Sequence, residues 1–161
     1  MNGETKDSLL VIGVGNEFRS DDSVGLVIAR KLRDKLGWNA EVIETEGEGA
    51  DLMSQWQGRQ TVFVIDAVSS GSKPGTIHWI DASNGAIPSK LRPFSSHRFG
   101  LAEAIEVSRS LGLMPERLLV CGVEGENFEY GQDLTHQTAE AVGNAVERVL
   151  REVEATFAAA L

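Results

Sequence analysis

Asp21, Asp22, Asp66 and His97 are the residues whose types and settings could do chemistry. Asp21 and Asp22 sit side by side in a glycine-containing stretch after the short apolar run 9–12 (LLVI), and Asp66 closes the apolar run 61–65 (TVFVI). A carboxylate at the end of an otherwise apolar strand has to be solvated, hydrogen-bonded or paired with a cation. His97 stands in Ser95-Ser96-His97, three residues ahead of Gly100, where small neighbours let an imidazole approach other loops. Two carboxylates and one imidazole make an oxygen, oxygen, nitrogen set with open coordination positions. Such a set suits zinc, nickel or iron and lacks the thiolates that would close a structural zinc site. The same groups suit general acid–base work, and the residues by themselves name no substrate.

Each candidate has a plainer reading beside it. Asp66 is also a fitting cap for a following turn. Asp21 and Asp22 precede a helix, where an acid complements the helix dipole; one acid suffices for that, which leaves the other available as a ligand. His97 can pack or cap at its helix entry. His78 lies inside an expected strand and His136 in the first turn of an amphipathic helix, so both read as structural. Ser95 and Ser96 lack the surroundings of a nucleophile elbow. Cys121 lies in an apolar strand and reads as a core thiol. The glycines at Gly13-x-Gly15 suggest a dinucleotide turn, but the third glycine is missing and two acids occupy the place of the phosphate, so no nucleotide is expected.

The elements that must position these residues follow from periodicity. Strands are expected at 9–12, 40–44, 61–65, 76–80 and 117–123, with 76–80 as an antiparallel edge strand. Gly13-Val14-Gly15-Asn16 reads as the turn that breaks the first strand. Helices are expected from Ser23, over 50–56, after His97, and after Thr135, where Ala139, Val142, Val146, Val149, Val153 and Phe157 form one apolar stripe. Strands alternating with helices give an α/β fold: one three-layer domain over 1–161, with a five-stranded, mostly parallel sheet and helices on both faces. Ligands of such sheets gather beyond the carboxyl ends of the strands. There Asp21 and Asp22 follow the first strand, Glu44 ends the second and Asp66 the third, and Glu124 and Glu126 follow the last. Asp22, Asp66 and His97 are expected to converge in one cleft at that edge.

A length of 161 residues is ample for one core, and a net charge of −9 argues against nucleic acid or an anionic membrane as partner. The polar segment 1–8 and the short run after it fit neither a secretory signal nor a spanning helix. Cys121 is the only cysteine, which excludes an internal disulfide and makes a reducing, cytoplasmic setting the default.

The motifs, taken in order, resemble those of the hydrogenase maturation proteases. Gly13-Val14-Gly15-Asn16 with Asp21-Asp22 and Val24-Gly25 is similar to the family's first signature. Val62-Phe63-Val64-Ile65-Asp66-Ala67 matches its second acid, Ser95-Ser96-His97-Arg98-Phe99-Gly100-Leu101 its histidine motif, and 123–134 its last loop. The resemblance implies an endopeptidase, classed in similar proteins as aspartic-type, that removes a C-terminal extension from the large-subunit precursor of a nickel-iron hydrogenase. Nickel already in the precursor would be the recognition element, with zinc or another divalent ion able to substitute. The metal-binding and catalytic positions fall on Asp22, Asp66 and His97. One departure is Glu44-Thr45-Glu46-Gly47, where many relatives have Asp-Gly-Gly-Thr, so a role carried to Glu44 lacks its motif. A nickel-binding accessory protein that docks without cutting would use the same acidic edge.

Overall fold

A computed structural model describes residues 9–91 and 97–159. Its centre is a five-stranded sheet built from β1 (Leu9–Val14), β2 (Glu41–Thr45), β3 (Thr61–Val68), β4 (Ile77–Asp81) and β5 (Arg117–Glu124), in the order β2-β1-β3-β5-β4. All neighbours run parallel except β4, which pairs antiparallel with β5 at the edge, as expected for 76–80. Four helices cover the sheet: α1 (Val24–Leu36), α2 (Gly49–Trp56), α3 (Leu101–Leu111) and α4 (His136–Ala159).

The near-continuous apolar strands are explained by burial on both faces. Leu9, Val11, Phe63, Ile65, Leu119 and Cys121 point to one side and pack with α1 and α4. The alternate residues Leu10, Ile12, Val62, Val64, Leu118 and Val120 pack with α2 and α3. Each such fully buried Leu, Ile or Val side chain contributes roughly 1.5–3 kcal/mol. Trp56 closes the second layer, its Nε1 donating to Ser108 Oγ at 3.0 Å across α2 and α3. In α4 the buried stripe is Ala141, Val142, Ala145, Val146, Val149 and Val153, and Ala139 is exposed instead.

Two strand ends lie two or more residues beyond expectation, and both bear on the site; the other strand boundaries agree to within one residue. β1 continues through Gly13 and Val14, because these two residues find ladder partners in Glu44 and Thr45. β3 runs two residues past Asp66, because β5 extends alongside it and pairs Asp66 with Gly122 and Val68 with Glu124. Asp66 is therefore inside a central strand, and Glu124 is the last residue of β5 instead of following it. Among the described residues no helix is long and apolar enough to cross a membrane.

Candidate active site

The loop after β1 folds back onto the strand ends because two glycines allow it. A Cβ on Gly25 would strike the carbonyl oxygens of Val14 and Ile65, and one on Gly15 would strike the carbonyl of Asp22. Without side chains there, the first turn of α1 rests directly on β1 and β3. A short 3-10 turn, Ser20–Ser23, precedes the helix. Ser20 holds the left-handed φ of 51° that this fold-back requires, and its hydroxyl donates to the Asp133 carbonyl at 2.8 Å.

That turn separates the two adjacent acids into different jobs. Asp21 is fully buried and its carboxylate accepts from the N–H groups of Glu126 (2.7 Å), Asn127 (3.1 Å) and Thr135 (2.8 Å), and from the Thr135 hydroxyl (2.7 Å). It ties the β1–α1 loop to the β5–α4 loop. Burial pushes its pKa up, but the Glu126 N–H and the Thr135 donors outweigh burial and hold it below the usual carboxylate value. Thr135, the residue just ahead of α4, spends its hydroxyl on Asp21. Asp22 is 7% exposed and accepts the Asn16 N–H, at 3.2 Å on Oδ2. Burial raises its pKa, against the Asn16 N–H and the charges of Arg19 and His97.

Asp66 lies on the α2 and α3 face of β3, in step with Val62 and Val64, and is 2% exposed. Its Oδ1 accepts the N–H of Ala67 at 2.8 Å. Burial, and then the charge of Asp22, push its pKa well above the usual carboxylate value, against that hydrogen bond. A sequestered carboxylate whose cost of ionising is raised by a second one nearby, with few donors to relieve it, is what a cation or a shared proton would stabilise.

His97 is half-buried and enters from the stretch ahead of α3, pinned where the Gly49 N–H donates to the Phe99 carbonyl at 2.7 Å. Its charge reaches both Asp22 and Glu48. The structure thus places Asp22 and Asp66 within electrostatic reach of each other, and His97 within reach of Asp22. Among the described residues no three His, Cys, Asp or Glu are grouped closely enough to hold a metal ion. Ser95 and Ser96 lie outside the described residues.

The other acids of this edge are committed elsewhere. Glu44 turns to the α1 side, where Arg30 (2.8 Å) and Arg33 (3.1 Å) pair with it. Glu124 is buried and accepts from the Ser70 N–H (2.7 Å), the Ser70 hydroxyl (2.8 Å) and the Gly71 N–H (3.0 Å), with His78 Nε2 at 3.1 Å. Glu126 is exposed, and its backbone N–H serves Asp21. His136 pairs with Glu140 on the surface of α4. Cys121 is 1% exposed, and burial pushes its thiol up to about 12. Cys121→Ala should cost about 1 kcal/mol or more through lost packing, read from urea unfolding, while leaving the chemistry of the opposite face untouched. Loss of activity without loss of stability would contradict this.

Three residues near the acids were not among the candidates that motif or periodicity picks out. Asn16 acts through its backbone N–H. Glu48 caps α2 by accepting from Ala50 (3.0 Å) and Asp51 (2.9 Å); an acid just ahead of a helix was the available sign. Arg19 donates from Nε to the Phe128 carbonyl at 3.1 Å and lies 4.9 Å from the centre of the Tyr130 ring.

Comparison with known proteins agrees with this architecture. The profile of a family described as hydrogenase maturation protease matches residues 26–152. That span includes Asp66 and His97 and begins just after Asp22. The hydrogenase 2 maturation protease of Escherichia coli is 29% identical over 146 residues, covering 88% of each chain. The hydrogenase expression/formation protein HoxM of Cupriavidus necator is 26% identical over 145 residues, with 87% of this chain and 71% of that one covered. Among solved structures, the hydrogenase maturating endopeptidase HybD from E. coli superposes with a TM-score of 0.79 at 26% identity, covering 92% of this chain and 93% of the other.

Proposed function

Since this chain belongs to the hydrogenase maturation protease family, we propose that it is an endopeptidase that cuts a C-terminal extension from a nickel-loaded hydrogenase large-subunit precursor. The nickel is substrate, carried in by the precursor, and serves as the recognition element; zinc or another divalent ion of like preference would substitute. The observation that carries the reading is the pair Asp22 and Asp66: two sequestered carboxylates at the carboxyl edge of the sheet, short of donors, with an imidazole in reach.

Asp22, Asp66 and His97 are the groups that would face the precursor. A cation brought between two such acids offsets their mutual repulsion, and an approaching imidazole supplies the softer nitrogen donor. Peptide hydrolysis also needs a base to take a proton from water and an acid to give one to the departing amine. Asp66 has Oδ1 occupied by the Ala67 N–H, so any proton it keeps sits on Oδ2. Asp22 meets the charges of Arg19 and His97 and is the better placed to stay ionised and act as base. This division of labour is of the aspartic type. It needs no bound nucleotide, nucleic acid or membrane.

The test is incubation of the purified protein with nickel-loaded precursor, with loss of a C-terminal peptide followed by mass. Asp22→Ala and His97→Ala should each lower processing about 10²–10⁴-fold while the cooperative unfolding transition is kept. A precursor that is bound but never shortened would leave the accessory-protein reading and remove the protease one.

A further inference from the structure

Phe18 and Tyr130 are 71% and 68% exposed, and they stand on the two loops that Asp21 ties together. The Gly131 N–H donates to the Phe18 carbonyl at 2.9 Å, and Arg19 is held over the Tyr130 ring with its Nε on the Phe128 carbonyl. Asn16 accepts the Phe18 N–H on Oδ1 at 2.9 Å and gives its own N–H to Asp22. The Phe18 backbone is thus held by both loops and linked through Asn16 to the candidate acid, while the Tyr130 ring lies against Arg19. Beside Phe18 lies a cavity of about 230 Å³ whose apolar lining is Phe18 and Leu26 and whose polar lining includes Glu46 and the cluster in which Arg30 pairs with Glu17 and Glu44. The acids exposed on these two loops are Glu17, Glu126, Glu129 and Asp133, against the single base Arg19.

A single exposed aromatic is ordinary, but two on adjoining, mutually bonded loops beside a cavity make a patch of the kind that marks a binding surface. Tyr, Trp and Arg on a pre-organised surface are the side chains that dominate protein–protein binding. We infer that Phe18, Tyr130 and the cavity beside Phe18 form a docking face for the body of the precursor, and that the precursor surface seated there is an apolar projection ringed by Lys and Arg. The inference rests on the proposed substrate. The apolar projection is required by the exposed aromatics, with Leu26 at the cavity; the basic ring is required by the exposed acids Glu46, Glu126, Glu129 and Asp133, since a like-charged rim would repel. Docking here brings the precursor to the edge where Asp22 and Asp66 lie, with affinity supplied away from the bond to be cut.

The experiment separates docking from cutting. Binding of nickel-loaded precursor is measured by calorimetry on Asp66→Asn, which should not cut, alone and combined with Phe18→Ser or Tyr130→Ser. Processing is measured on the single variants in the otherwise intact chain. Each serine should weaken Kd and raise KM about tenfold or more, with kcat kept within about twofold. Raising salt should weaken the remaining affinity. Trp38→Ser, at a more exposed aromatic (84%) in the Gly37–Asn39 turn after α1, should leave Kd and KM alone. Wild-type Kd and KM in both serine variants, or an equal loss in Trp38→Ser, would overturn the docking face while the protease reading stands. Binding that depends on Phe18 and Tyr130 without any cutting would do the reverse. Sedimentation showing a dimer that both serines dissociate would assign the face to a second copy of this chain and overturn the inference.

Discussion

Replacing Asp66 by Asn is expected to lower processing of the nickel-loaded precursor about 10²–10⁴-fold and, in the same protein, to raise stability at neutral pH by roughly 1–2 kcal/mol. The two effects share one cause. Burial and the neighbouring charge of Asp22 lift the folded-state pKa well above the unfolded value of 3.8. A group shifted this way favours the folded state fully below the unfolded pKa, and that contribution is lost as pH rises through the folded value. The wild type therefore bears the cost of a poorly solvated carboxylate at neutral pH, and the amide does not. Urea unfolding at about pH 4.5 and about pH 8 should show the variant's advantage growing toward the higher pH. A variant that still cuts, or one that is less stable than wild type at the higher pH, would remove Asp66 from the site.

Asp21→Asn is expected to do the opposite, costing about 3 kcal/mol or more at neutral pH, with processing reduced only as far as the folded fraction falls. The carboxylate accepts three backbone N–H groups and one hydroxyl. An amide presents its own donors to some of these, and each buried N–H left without an acceptor costs about 1–3 kcal/mol. The pH dependence also reverses. Asp21 is held below its ordinary value, so its contribution is present above the unfolded pKa and lost as pH falls through the folded one. The deficit of the variant should thus narrow in acid. If Asp21→Asn unfolded like wild type yet failed to process, the roles given to Asp21 and Asp22 would have to be exchanged.

Neighbouring residues differing this much is the clearest case of information absent from the sequence. Two acids before a helix say that one has a structural use and one is spare, but not which. The choice is made by the distant loop 125–135. Its Glu126 and Thr135 N–H groups return to within hydrogen-bond reach of Asp21 over separations of 105 and 114 residues. Glu44 and Asp66 make the same point. Both stand near strand ends, yet Glu44 shares the side of Val42 and meets Arg30 and Arg33. Asp66 shares the side of Val64, where the like charge of Asp22 acts on it. Glu124, read as part of an acidic edge, is consumed by Ser70, Gly71 and His78.

By itself the sequence determined the α/β class, the five strands, the antiparallel edge at β4 and the four helices that cover the sheet, because burial on two faces writes itself as runs of apolar residues and as helical stripes. It also directed attention to Asp22, Asp66 and His97 at one edge, through the rule that parallel strands deliver their following loops to the same end. Tertiary structure decided where strands end, which acids are paired, and which aromatics are left in water. Those outcomes depend on ladder partners and hydrogen-bond donors contributed by segments far apart in the chain, and no local pattern around a residue encodes what will be folded against it.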